Sequence, residues 1–241
     1  MAEDSELSAL HGHDGSQAEM MSECCILVDT AGNSIGSETK LNCHFGEGML
    51  HRAFSVLIFD TDGAMLVQKR SDDKITFPSV WANACCSHPL DIPGENDDVV
   101  SGVMNAARRK LQQELGISES QLSKIEFKHI GSFLYECRWD SEWIEREVDH
   151  VLVAISDGID VNPNPNEISS TRWVSSTEID EMMSGNGFWH DQIVAPWFRL
   201  LWGEFFDEHY PEINKVPVKD RLVHFGEVDL HGNSVVPGQN L

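Results

Sequence analysis

Apolar and polar positions alternate with a period of two along much of the chain. CILVD (25–29), the polar turn TAGN and a second extended run predict a first hairpin. HRAFSVLIFD (51–60), the turn TDG and AMLVQKR (64–70) predict a stronger one, with Asp62-Gly63 at the turn. Residues 91–98 (DIPGENDD) carry loop chemistry, and then the period changes. Val99, Val100, Val103, Ala107, Leu111 and Leu115 recur at helical spacing, and Gly116 supplies the stop. FKHIGSFLYECRW (127–139) and EVDHVLVAI (147–155) predict further strands, NPNPNE (162–167) a proline-punctuated loop, and TRWV a short strand. SSTE (175–178) is a capping box that opens a short helix. Pro196 fits the first turn of a last helix, which carries WFRLLWGEFF. Strands surrounding one helix, with a second helix at the end, predict a mixed α/β layered domain over residues 23–210. Residues 1–22, polar and without periodicity, read as a disordered acidic segment. Residues 211–241 show no clear pattern and read as a C-terminal extension, and no internal repeat is evident.

Bulk properties narrow the partners. A length of 241 residues suits one well-cored domain with ornament. Without an apolar run of membrane-spanning length or a signal-peptide pattern, the chain reads as cytoplasmic. Six cysteines (24, 25, 43, 85, 86 and 137) are too sparse for a disulfide framework, and they form no CxxC pair. The formal charge of −23 argues against nucleic acid or an anionic membrane as a partner. Its distribution is uneven. Residues 40–90 carry five basic side chains (Lys40, Arg52, Lys69, Arg70, Lys74) against five acidic ones (Glu47, Asp60, Asp62, Asp72, Asp73), and also hold His44, His51 and His88. An anionic small molecule would find its most favourable ground there.

The segment NACCSHP (83–89) raises the question of chemistry. If it runs extended, Cys86 and His88 share a face and Cys85 turns away. A cysteine beside a histidine is a metal-ligand pair, an activated thiol, or buried packing. CHFGEGMLH places His44 and His51 seven residues apart around a glycine-bearing loop, and EREVDH places Glu145 and Glu147 on one strand face. Three imidazoles and two carboxylates could close a nitrogen/oxygen site suited to manganese, magnesium or zinc, or could be surface histidines and a solvated strand face. RRKLQQELGI resembles the end of a Nudix box, with Arg109 and Glu114 in register on Gly116. Lys110, Gln113 and Ser101 stand where the Nudix hydrolases have glutamates. Glu114 is then one remaining metal ligand, or simply pairs with Lys110 one turn earlier.

GSETKLNCH, LHRAFSVLIF, QKRSDDKITFP, NACCSHP, EREVD, NPNPNE and APWF occur in the order in which they stand in the type I isopentenyl diphosphate isomerases, and the chain resembles that family over roughly residues 25–205. The resemblance implies an α+β Nudix-like fold, a mixed sheet sandwiched between helices, and an isomerase of isoprenoid biosynthesis that interconverts isopentenyl and dimethylallyl diphosphate. It implies Cys86 and Glu147 as the proton-handling pair, with Tyr135 near both and Trp197 over the reacting carbons. Helical spacing alone would make Trp197 ordinary core, since Leu200, Leu201 and Phe205 follow it. Lys40, Arg70, Lys74 and Ser87 match positions that hold the diphosphate. His44, His51, His88, Glu145 and Glu147 match the ligands of a first divalent ion (Mn²⁺, Mg²⁺ or Zn²⁺), and Glu114 a position that helps hold a second Mg²⁺ against the diphosphate. The expected partner is a small-molecule diphosphate, with the chain a monomer or weak homodimer. The competing readings are a Nudix diphosphohydrolase, against which Lys110 and Gln113 count, and a metal- or redox-sensing module built on Cys85-Cys86.

Overall fold

The computed structural model describes residues 10–208, 210 and 212–237. Strands β1 (Cys24–Val28) and β2 (Ser34–Thr39) form the first hairpin. They are followed by β3 (His51–Phe59), β4 (Met65–Arg70), β5 (Trp81–Asn83) and β6 (Cys85–Ser87). The chain then gives β7 (Lys128–Arg138), β8 (Ile144–Ile155), β9 (Ile168–Val174), β10 (Leu222–Val228) and β11 (Ser234–Pro237). The helices are α1 (Gly15–Met20), α2 (Lys40–His44), α3 (Val99–Leu115), α4 (Glu119–Leu122), α5 (Ser176–Ser184) and α6 (Pro196–Phe205).

The main sheet path runs β11-β10-β7-β8-β3-β1-β2. Every residue of β3 is buried, as expected of a strand covered on both faces. Its alternation divides the core: Phe54, Val56 and Ile58 meet Leu111 and Leu115 of α3, while Leu57 and Phe59 belong with Leu201 and Phe205 of α6. Each fully buried side chain of this size contributes about 1.5–3 kcal/mol. The mixed sheet therefore lies between helical layers, as the resemblance implies. Asp98 caps α3 by accepting from the Ser101 N–H at 2.9 Å. Gly116 ends it at φ 63°, where a Cβ would also meet the Asn162 carbonyl oxygen at 2.3 Å. The SSTE capping box and the proline in the first turn of α6 form as their residues predict.

Four expectations are corrected. The hairpin of residues 51–70 has its turn, but β3 and β4 share a single pair, Phe59↔Met65, before β4 leaves to pair with β5 and β9. Residues 10–22 are not disordered: α1 is capped by Asp14, and the buried Gln17 amide donates to the Asn166 carbonyl and side chain and to Glu167 Oε1. A single docked side chain leaves no periodicity to read, and residues 1–9 lie outside the described residues. The tail is not without structure either, because β10 runs parallel to β7 from Leu222↔Ser132 to Val228↔Cys137, and Ile213, Val216 and Val228 join the core.

A repeat is also present. Val-Asp-x-x-Gly-Asn-Ser occurs at 28–34 and again at 228–234. Asp29 and Asp229 accept from Asn33 and Asn233, four residues on, through backbone and side-chain N–H, and each hairpin carries a bulge before its valine. The same turn thus closes both hairpins at the two ends of the sheet. At seven residues it is too short to stand out without its structure. No helix among the described residues is long and apolar enough to cross a membrane.

Candidate active site

At Asn83 the chain leaves β4 (Val67↔Asn83), and two residues later it pairs with β3 (Val56↔Cys85, Ser55↔Cys86). Extended backbone through β6 then separates the two thiols. Cys85 faces the α3 layer, fully buried, with Sγ 3.6 Å from Glu114 Oε2. Cys86 and His88 both line a narrow cleft on the other side. The Trp197 indole N–H donates to Cys86 Sγ at 3.0 Å, and the thiol donates to Asn83 Oδ1 at 3.0 Å. Burial, then the charge of Asp149, push the Cys86 thiol far above its ordinary range, so it is protonated at neutral pH.

The parallel register of β3 and β8 sets His51 opposite Glu147, and the antiparallel β7 sets Tyr135 on the other flank of Glu147. Glu147 divides its oxygens between them. Oε1 lies 2.8 Å from His88 Nε2 and 3.6 Å from His51 Nε2, while Oε2 accepts from the Tyr135 hydroxyl at 2.7 Å. Burial raises the Glu147 carboxyl, but His51 outweighs it, and the group is held below its usual range. His44 comes from α2 and Glu145 from β8. The ligating atoms of His44, His51, His88, Glu145 and Glu147 all fall within 4.8 Å of one another, and all five residues are buried. His44 Nδ1 and His51 Nδ1 each lie 2.7 Å from a backbone carbonyl, of Lys40 and Met49. That contact places a proton on Nδ1 of each ring and leaves both Nε2 atoms facing inward.

Those inward atoms make the fit to a cation specific. His44 Nε2, His51 Nε2 and Glu145 Oε2 are buried with no hydrogen-bond partner. His44 Nε2 and Glu145 Oε2 are only 2.9 Å apart, yet neither is oriented to bond the other, as expected of two groups aimed at a shared third point. Three nitrogens and two carboxylates form a donor set for a divalent ion of intermediate hardness.

Lys40, Arg70, Lys74 and Ser87 line the same cleft, giving it a cationic wall. Arg70 donates from Nε and Nη2 to the carbonyls of Phe77 and Thr76, and its guanidinium carbon lies 5.7 Å from the Trp197 ring centroid. Lys74 is not free: Nζ lies 2.7 Å from Glu167 Oε2. Burial lowers the Lys74 ammonium to about 8 against the opposing pull of Glu167. Glu114 also lines the cleft, but it stands outside the five-residue cluster and pairs with Lys110 at 3.0 Å, the simpler of its two expected roles.

The sequence reading missed several cleft residues. Asp149 lies two positions beyond Glu147 on the same strand face, buried, accepting from the Ser55 hydroxyl at 2.8 Å. Burial, then Glu147, raise its carboxyl well above the usual range. The alternation Glu145, Glu147, Asp149 was available to find it. Gln17 and Met21 arrive from a segment whose composition gave no sign of docking.

The layers and the degenerate box helix define the class. The NUDIX domain family matches residues 49–198. A Deinococcus radiodurans structure, DR0079, superposes at a TM-score of 0.50 with 16% identity, covering 68% of this chain and 91% of that one, a likeness of fold alone. Closer relatives narrow it. Isopentenyl-diphosphate Delta-isomerase 1 of Bos taurus is 40% identical over 211 residues, covering 84% of this chain and 91% of the bovine one. The isopentenyl-diphosphate delta-isomerase of Schizosaccharomyces pombe is 37% identical over 221 residues, covering 88% and 94%. The chain belongs to the isopentenyl-diphosphate isomerase family within the NUDIX proteins.

Proposed function

We propose that this chain interconverts isopentenyl and dimethylallyl diphosphate by adding a proton at one carbon and removing another two carbons away. One observation supports it most. The Cys86 thiol and the Glu147 carboxylate line a single cleft, the thiol under an indole N–H and the carboxylate under a phenol. An isolated alkene is a poor base, so a donor must be held against it with water excluded. Cys86 carries a proton to give and Glu147 is ready to accept one, and the two exchange those states over the reaction. Trp197 would face the electron-poor carbons, where cation–π attraction reaches about 2 kcal/mol when desolvated. Tyr135 holds Glu147 Oε2 in place.

His44, His51, His88, Glu145 and Glu147 would hold a divalent ion, Mn²⁺, Mg²⁺ or Zn²⁺, which supplies the positive charge that fixes the two carboxylates and lowers the proton affinity of Glu147. Lys40, Arg70, Lys74 and Ser87 would bind the diphosphate with its Mg²⁺, for which Glu114 offers an oxygen beside Lys110. The reading carries with it a cytoplasmic setting, in keeping with six free cysteines, and a monomer or weak homodimer.

Purified protein with Mg²⁺ and isopentenyl diphosphate in deuterated water is expected to yield deuterium-labelled dimethylallyl diphosphate without phosphate release. Phosphate release with no labelled product would instead mark a diphosphohydrolase and overturn the isomerase reading.

The Lys74 ammonium gives a pH prediction. Its charged form attracts diphosphate, and that form is lost in the free protein as pH rises through about 8. The KM for isopentenyl diphosphate is therefore expected to climb above pH 8. In Lys74→Gln it should be raised at pH 7 and flat between pH 7 and 9.5, so that the wild-type value approaches it at the alkaline end. A wild-type KM that stays level over that range would remove Lys74 from the diphosphate site.

A further inference from the structure

We infer that Asn83 is a positioning residue for the Cys86 thiol, holding the sulfur and its resting proton in one orientation at the cleft wall, from which a turn about Cβ–Sγ delivers that proton to substrate. This rests on the assignment of Cys86 as a proton-handling group. The Asn83 side chain is completely buried at the point where the chain passes from β4 to β3. Its amide hydrogens are both accounted for: Nδ2 donates to the Val56 carbonyl at 3.1 Å and to the Cys85 carbonyl at 2.9 Å. Two carbonyl acceptors on one side of the amide leave no freedom to flip it, since a flip would turn Oδ1 toward two other oxygens. Oδ1 is consequently an acceptor, and it stands 3.0 Å from Cys86 Sγ.

The sulfur is held from two sides. It accepts from the Trp197 indole N–H at 3.0 Å and donates to Asn83 Oδ1 at the same distance. With the indole taking one sulfur lone pair and the amide taking the proton, the thiol rests in a single orientation beside the cleft, one rotation about Cβ–Sγ from a substrate carbon. A thiol rotates freely about Cβ–Sγ unless something fixes it, and a proton transfer to or from carbon depends steeply on that angle. Asn83 also braces the strand crossing, so the two roles must be told apart by measurement. A brace would act on stability and substrate binding together. A positioning residue acts on turnover and on the thiol itself.

The test uses the full-length protein loaded with divalent ion, in wild-type, Asn83→Ala and Asn83→Ser forms. Asn83→Ser keeps a short hydroxyl at the crossing and is read in place of the alanine form should that form not fold. We expect kcat to fall about 10- to 100-fold with KM for isopentenyl diphosphate within about threefold of wild type. In the Raman spectrum the S–H stretching band of Cys86, assigned by its disappearance in Cys86→Ala, is expected to move to higher wavenumber once its acceptor is lost. An unmoved band, or a loss carried by KM with kcat intact, overturns the inference. Wild-type turnover in the same assay separates the two claims. If the wild-type protein isomerises while the Asn83 variants match it, only the inference falls. If the wild-type protein does not isomerise, the reading beneath it falls, and the Raman shift still reports whether Asn83 holds the thiol.

Discussion

Cys86→Ala is expected to lose isomerisation by a factor of about 10³ or more with little change in thermal midpoint, and Cys85→Ala to keep turnover within a few-fold of wild type. General acid–base groups contribute typically about 10²–10⁴, and removing the donor in a site that excludes water leaves no substitute for it. The two variants delete the same atom from adjacent residues, so their contrast isolates direction. Cys85 packs among Val56, Val103 and Leu111 on the α3 side, where its sulfur is a small hydrophobe and truncation costs about 1 kcal/mol. Cys86 lines the cleft beneath Trp197. Steady-state rates and melting curves of both proteins check it. Loss of turnover in Cys85→Ala with Cys86→Ala unimpaired would place the chemistry on the wrong face and undo the assignment.

That contrast was legible without coordinates because it depends only on the twofold period of an extended chain. The same rule placed Glu145 and Glu147 together, and it would have delivered Asp149 had the alternation been followed one step further. Helix α3 was legible because its apolar spacing and its terminal glycine agree. The parallel pairing of β3 with β8 was not. It brings His51 to Glu147 across 96 residues of chain, a register no local pattern encodes, and only the family resemblance anticipated the convergence. Lys74 shows a second limit. Sequence reports that a charge is present but not which distant partner reaches it, and here Glu167 does. Asn83 shows a third, since an asparagine inside an apolar run gives no hint that its oxygen, rather than its amide, faces the neighbouring thiol.

Removal of the divalent ion is expected to abolish isomerisation and, independently of substrate, to lower the thermal midpoint by something on the order of 10 °C. The second effect follows from what the ligands become once nothing joins them. The ring centroids of His44, His51 and His88 lie 4.6–4.9 Å apart beside two carboxylates, and the inward Nε2 atoms of His44 and His51 have no hydrogen-bond partner. A ligand present at about 1,000 times its dissociation constant stabilises the folded state by about 4 kcal/mol. For a chain of this size each kcal/mol moves the midpoint by about 2–4 °C. Stripping with chelator, melting without substrate, and then restoring Mn²⁺, Mg²⁺ or Zn²⁺ singly reads the stability effect apart from any Mg²⁺ carried by the diphosphate. Restoration of both the midpoint and turnover by one of these ions ties the cluster to catalysis through the carboxylate it holds. A stripped protein that melts unchanged and turns over fully would reduce the five residues to a buried polar network, and Glu147 would have to act with its proton affinity set by His51, His88 and Tyr135 alone.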